Sequence, residues 1–184
     1  HLYPSFPYNS YARMTPQDIN DLFAYLKSLP ASTNDAPGHD LPFPFNIRLV
    51  LGGWKFLYFD KGEPRVEIAN ANAQVARGQY LVEGPGHCGE CHTPRDALGG
   101  FMKGQWLAGG PNPEGEGRVP DLRPESQAIG SWSEADIANY LETGFTPDFD
   151  SAGGSMVKVQ QNMARLPAED RQAIAAYLKA LPSP

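Results

Sequence analysis

With 184 residues, the chain is long enough for one domain, or for one domain and part of another. Its net charge of −6 argues against a nucleic-acid partner, which would call for a basic face. No apolar run approaches the roughly 20 residues of a membrane-spanning helix, and no signal-peptide pattern is visible at the start, so we expect a mature or trimmed product. The 19 glycines and 18 prolines indicate much loop, as in a protein that wraps a cofactor.

The first predicted helix follows Thr15 and ends before Pro30. Thr15 is a good N-cap, Pro16 suits the first helical position, and Asp18 favours the positive end of the helix dipole. Lys27 and Pro30 are typical of a helix end.

This helix is repeated near the end of the chain. DLFAYLKSLP at 21–30 matches AIAAYLKALP at 173–182, where Pro167 opens the helix and Pro182 closes it. Convergence on common helix composition is the alternative, but the shared register favours a true repeat. The repeat predicts two related domains, with residues 1–34 as the C-terminal part of the first.

Residues 35–71 are predicted to be a linker that packs on the domains. The proline-rich stretch up to Pro44 is typical of a loop, whereas residues 45–59 are apolar and aromatic and suit a short helix on a domain surface.

The second domain is predicted to span residues 72–184. A helix should begin near Asn72 and run to Val82; Gly78 within it costs about 1 kcal/mol against alanine, which predicts a close crossing with the helix of Tyr177. Residues 98–130 are expected to be loop. A further helix is predicted over 133–142, capped by Ser131 or Ser133 and ended by Gly144.

The only two cysteines form the motif Cys88-Gly89-Glu90-Cys91-His92. Cys-x-x-Cys-His is the attachment signature of a c-type haem. Residues three apart on a helical turn share a face, so both sulfurs can reach one edge of the macrocycle, and the next residue offers an imidazole to the iron. We therefore predict one covalent haem c in this chain, with His92 as an axial ligand.

Three other interpretations fit the motif less well. A structural zinc site needs four ligands, and a second cysteine pair is missing. A thioredoxin-like redox pair is expected beside a βαβ pattern, which the sequence lacks. A disulfide across two intervening residues would close a very small loop with little entropic gain.

The sixth position of the iron decides between electron transfer and catalysis. The candidate ligands are Met156, Met163, Met102 and His39. Met156 is favoured, because it lies in a glycine-rich loop between two predicted helices, where a thioether can be laid over the ring. His–Met ligation would give a saturated iron with a raised potential, suited to exchanging electrons.

The sequence resembles the cytochrome c family, and in particular the multi-haem cytochrome subunits of periplasmic alcohol and aldehyde dehydrogenases. The resemblance covers nearly all of the chain and rests on YPSFPY at 3–8, YARMT at 11–15, FPFN at 43–46, RGQYLVEG at 77–84, GHC at 86–88, CHTPR at 91–95, GSW at 130–132, GSM at 154–156 and the helix at 173–182. It implies an all-α, class I cytochrome c fold around one haem, plus a remnant of a preceding cytochrome c domain.

The resemblance also assigns roles to single residues. Met156 corresponds to the distal ligand, Arg95 and Trp132 lie near the haem edge, and Pro120 offers its carbonyl to the His92 ring. Surface ion pairing and core packing are the alternatives for Arg95 and Trp132. Met14 resembles the distal ligand of the preceding domain, whose own attachment motif is missing from this chain, so an upstream haem domain or fragment is a candidate partner.

The expected function is electron transfer and not catalysis. The resemblance implies a periplasmic carrier, soluble or held at the membrane by partners, between a dehydrogenase donor and a respiratory acceptor. The alternative is a haem enzyme, peroxidase-like or thiosulfate-oxidising, with a displaceable sixth ligand; no acid–base pair near Met156 supports it. A third possibility is a structural subunit whose haem only supports folding.

Overall fold

The computed structural model describes residues 1–113 and 115–183, and the chain divides into two compact units, His1–Glu63 and Pro64–Pro184. The predicted all-α class is confirmed. The helices of the described residues are α1 (Tyr8–Tyr11), α2 (Pro16–Ser28), α3 (Val50–Tyr58), α4 (Ala73–Glu83), α5 (Gly89–His92), α6 (Glu134–Thr143), α7 (Met156–Met163) and α8 (Ala168–Ala180).

The first unit contains α1 to α3. The start of α2 is as predicted: the Thr15 hydroxyl accepts a hydrogen bond from the Asp18 backbone N–H, and Pro16 is the first helical residue. Arg13 pairs with Asp60 at 2.8 Å, which ties the beginning of this unit to its end. No residue of α2 is buried, and its large apolar side chains are all exposed: Ile19, Leu22, Phe23, Tyr25 and Leu26.

The second unit is built on the crossing of α4 and α8. The predicted close approach at Gly78 is confirmed, because a Cβ there would lie 1.9 Å from the Ala173 carbonyl oxygen and 2.7 Å from Tyr177 Cβ. Around this crossing lies one apolar core of Val75, Leu81, Val82, Trp106, Leu107, Ile129, Ile137, Leu141, Ile174, Ala175, Ala176, Tyr177, Leu178 and Leu181.

Helix α6 packs against α8 and α7, and both of its ends agree with the sequence. Ser133, one of the two predicted caps, accepts from the Asp136 backbone N–H while the Asp136 side chain accepts from the Ser133 backbone, which forms a capping box. Gly144 ends the helix with φ of 81°, a left-handed conformation that glycine adopts without strain.

Two local predictions were wrong. Residues 98–130 were predicted to be loop but contain a small antiparallel pair, β1 (Gly110–Pro111) and β2 (Arg118–Val119). The sequence did not predict these strands because two residues are too few to show an alternating pattern. Met156 is the first residue of α7 and not part of the preceding loop. Among the described residues, we find no helix with the length and apolar character needed to cross a membrane.

Candidate haem site

The attachment motif forms a single turn of helix. Backbone hydrogen bonds join Cys91 N and His92 N to the Cys88 carbonyl, at 3.3 and 3.0 Å. The two cysteines are not joined to each other in a disulfide. Burial raises the pKa of the Cys88 thiol to about 11, whereas Cys91 is exposed. The turn therefore presents two thiols of different burial for attachment.

The imidazole of His92 is held by the backbone of Pro120. Its Nδ1 lies 2.9 Å from the Pro120 carbonyl oxygen, and the residue is only 8% exposed. Because a carbonyl can only accept, Nδ1 carries the proton and Nε2 keeps its lone pair for a metal. Burial lowers the His92 pKa and the Pro120 hydrogen bond partly offsets this, so the neutral imidazole, which is the form able to bind a metal, is favoured.

Three residues of the loop before β1, Trp106, Leu107 and Gly109, contact the attachment turn and the residue that follows it. The backbone N–H of Gly109 donates to the His92 carbonyl at 2.7 Å, and that of Leu107 donates to the Thr93 hydroxyl at 3.1 Å. A Cβ at Gly89 would lie 2.1 Å from ring atoms of Trp106, so the indole lies directly against the turn. These contacts fix the backbone that carries both thiols and the imidazole.

The candidate sixth ligands differ in their surroundings. Met156 and Met163 are both half-buried and pack against the core of the second unit, seven residues apart on one face of α7. Met102 is 37% exposed, and His39 belongs to the first unit, where its ring contacts Tyr3. Burial therefore does not distinguish Met156 from Met163, and the assignment of Met156 as the sixth ligand stays a prediction.

Arg95 and Trp132 have partners of their own in the structure. The Arg95 guanidinium donates to the Glu90 carboxylate at 2.6 Å and to the Gly99 carbonyl at 2.9 Å, and lies over the Phe101 ring. The Trp132 ring packs 5.5 Å from that of Tyr140. Arg95 thus ties the attachment turn to the following loop, and Trp132, like Cys88 and Met156, borders the core.

A buried polar group behind the attachment turn was missed at the level of sequence. Glu83 is 2% exposed and accepts from the Tyr177 hydroxyl at 2.7 Å, and Trp106 Nε1 donates to that hydroxyl at 2.9 Å. The helical periodicity of α4 could have predicted that Glu83 is buried, since Glu83 lies eight residues after the buried Val75 and on the same face of the helix.

The residues of the turn fit a covalent haem better than a bare metal. Two thiols three residues apart are followed by an imidazole with a fixed tautomer, and Cys88 packs against the apolar core. In residues 1–113 and 115–183, no three His, Cys, Asp or Glu side chains gather as a metal-binding group.

Comparison with known proteins agrees with this chemistry. Residues 75–182 match the model of a family described as Cytochrome c. The chain is 55% identical, over its whole length and 60% of the relative's, to a diheme cytochrome c-type protein of Cereibacter sphaeroides. It is 40% identical to the fructose dehydrogenase cytochrome subunit of Gluconobacter japonicus, over 99% of this chain and 37% of that one. It is also 36% identical to the cytochrome c subunit of the alcohol dehydrogenase (quinone) of Gluconobacter oxydans, over 99% of this chain and 40% of that one.

Proposed function

Since the chain belongs to the cytochrome c family, we propose that it is an electron-transfer module with one covalent haem c, attached at Cys88 and Cys91 and ligated by His92 and Met156. One observation carries this proposal. His92, the residue directly after the second cysteine, donates a hydrogen bond from Nδ1 to the Pro120 carbonyl. It leaves the lone pair of Nε2 available, so Nε2 would be the iron ligand, and it holds the ring in one orientation.

The haem would supply reversible one-electron chemistry at iron. The chain's own residues do the remaining work. Cys88 and Cys91 prevent loss of the group, and the segment of Trp106 and Leu107 fixes the turn that carries them. A thioether from Met156 would close the remaining position of the iron and raise its potential.

We propose that the electron donor is a periplasmic dehydrogenase and the acceptor a respiratory protein. The chain spans 60% or less of the relatives named above, two of which are named as cytochrome subunits of dehydrogenases. The net charge of −6 supports a basic face on at least one partner, since opposite charges speed the encounter.

We further propose that residues 1–34 complete a preceding cytochrome c domain, with residues 35–71 as the linker and Met14 as a ligand of that domain's haem. The support is the repeat: α2 has the sequence pattern of α8, but the face that α8 buries is exposed in α2. The name of the diheme relative is in keeping with a second haem.

The ligand assignment is tested with a matched pair of methionines on α7. Met156→Ala should abolish the sulfur-to-iron charge-transfer band at the red end of the oxidised spectrum, because no thioether then reaches the iron. Met163→Ala, two turns further along the same face, should keep it.

The opposite pattern would assign the ligand to Met163, and a band that survives both changes would exclude both residues. Rapid cyanide binding by the wild-type protein would contradict a closed sixth position and favour a haem enzyme. A protein without covalently attached haem would end the proposal.

A further inference from the structure

The acidic side chain of Glu83 lies at the end of α4 and is almost fully buried. Its Oε1 is 2.7 Å from the Tyr177 hydroxyl and 3.0 Å from Gln79 Nε2, and its Oε2 is 2.8 Å from the Arg65 backbone nitrogen. Both carboxylate oxygens therefore have polar partners inside the domain.

The directions of these hydrogen bonds favour a carboxylate anion. Trp106 Nε1–H can only donate, so it occupies the Tyr177 oxygen as acceptor and directs the Tyr177 hydrogen toward Glu83. The Gln79 amide and the Arg65 backbone N–H are donors as well. A carboxylate anion accepts all three of these hydrogen bonds, and charge-assisted hydrogen bonds of this kind are the strong ones.

The same chain of contacts reaches the attachment turn. The Trp106 ring occupies the space that a Cβ on Gly89 would need, between the two cysteines. Burial, the nearby Glu83 charge and the hydrogen bond to Glu83 raise the Tyr177 pKa, and the Trp106 hydrogen bond partly offsets this, so the phenol stays neutral beside the carboxylate. Val82, Leu107 and Ala175 are completely buried, so solvent screens a charge in this core only weakly. The Arg65 guanidinium lies 5.6 Å from the centroid of the Trp106 ring, so Glu83→Gln measures what the carboxylate contributes beside that positive charge.

We propose that Glu83 is a positioning and tuning residue of the haem site: its buried negative charge, held in place by Tyr177 and Trp106 behind the attachment turn, lowers the reduction potential. An anion favours the more positive, oxidised state of the iron. The inference rests on the proposed function only in placing the haem at Cys88 and Cys91.

The test is a spectroelectrochemical titration of the haem-loaded chain. Glu83→Gln keeps the shape of the side chain and removes its charge. We expect the ratio of reduced to oxidised protein at a fixed applied potential to rise at least threefold, which is about 28 mV at 59 mV per factor of ten for a one-electron couple. Glu67→Gln removes the same formal charge from an exposed side chain of the same unit and should change the ratio much less.

Glu83→Asp separates charge from packing. It keeps the anion but shortens the side chain, so thermal stability should fall while the potential stays close to that of the wild type. A shift as large as that of Glu83→Gln would show that geometry, not charge, sets the potential and would overturn the proposal. So would a Glu83→Gln potential equal to that of Glu67→Gln.

Glu83→Leu provides a second loss of charge in case the amide is poorly accommodated. If neither Glu83→Gln nor Glu83→Leu incorporates haem, Glu83 serves folding alone and the proposal is wrong. Failure of the proposed function is distinguished beforehand, because it appears in the wild type as absence of covalent haem or of the charge-transfer band.

Discussion

His92 shows how much of the site depends on one hydrogen bond to the backbone. Without an acceptor at Nδ1, the imidazole could protonate at either nitrogen and rotate about its side-chain bonds. The Pro120 carbonyl, 2.9 Å from Nδ1, fixes both the site of protonation and the orientation of the ring. A backbone group cannot be lost by substituting its own side chain, so the orientation of His92 is set by the path of the loop that follows β2 and by the residues that hold that loop.

Gly78 is the residue on which the α4–α8 crossing depends. Gly78→Ala should lower the free energy of unfolding by about 1–3 kcal/mol, because the added methyl group meets the Ala173 carbonyl oxygen, a backbone atom that cannot rotate away. Urea unfolding of the haem-loaded protein measures the change.

Gly153→Ala is the control for this substitution. A Cβ at Gly153 meets no heavy atom within 4 Å, so the urea midpoint of Gly153→Ala should stay close to that of the wild type. Equal midpoints for Gly78→Ala and wild type would mean that the two helices separate more easily than the structure indicates.

The sequence names candidate residues of the site, but it does not show which residues support them. A motif of fixed spacing names Cys88, Cys91 and His92, and the resemblance points to Pro120. Trp106 lies in a stretch that is read only as loop, and its contact with Gly89 depends on packing between segments far apart in sequence. Glu83 could be assigned to the buried face of α4, but its partner on α8 could not be predicted from α4 alone.

Among the elements, helix ends were predictable because capping is local. Thr15, Ser133 and Gly144 act on residues within one turn, so their roles can be predicted from the sequence beside them. Helix α7 has no side-chain cap at Ser155, which explains why its start at Met156 was missed. The cytochrome c fold itself was recognised from stretches spread along the whole chain and is confirmed by the family match.

The capping box of α6 makes the stability of this helix depend on pH. The Ser133 hydroxyl and backbone N–H donate to the Asp136 carboxylate and lower its pKa below the ordinary value. Because the folded pKa is the lower one, the stabilisation is present above the unfolded pKa and is lost as pH falls through the folded pKa. Asp136→Asn should therefore lower the urea midpoint at neutral pH and have no effect in acid below that folded pKa.

Glu134→Gln is the matched control for the capping box. It removes the same formal charge from the same first turn, and so reports the helix-dipole effect alone. A loss of stability as large as that of Asp136→Asn at neutral pH, or a penalty for Asp136→Asn that persists in acid, would show that the reciprocal hydrogen bonds contribute nothing of their own.

For the whole molecule, the informative feature is that one helix pattern occurs in two environments. In α8, Tyr177 and Leu178 are 0% and 5% exposed, whereas the equivalent Tyr25 and Leu26 of α2 are 61% and 54% exposed. Isolated helices of this length are marginal in water, so α2 relies on its cap and α8 on tertiary packing. Backbone amides of α2 should therefore exchange with solvent deuterium much faster than those of α8.

The equivalent leucines test what this difference means for stability. Leu178→Gln should cost roughly 2–5 kcal/mol, since it removes apolar contacts and buries an amide in the core. Leu26→Gln should leave the urea midpoint of the haem-loaded chain unchanged, because the side chain already lies in water. If Leu26→Gln also destabilises the protein, or if α2 is protected from exchange as α8 is, the face of α2 is covered in solution by this chain or a second copy. The proposal that it awaits the rest of a preceding haem domain would then fail.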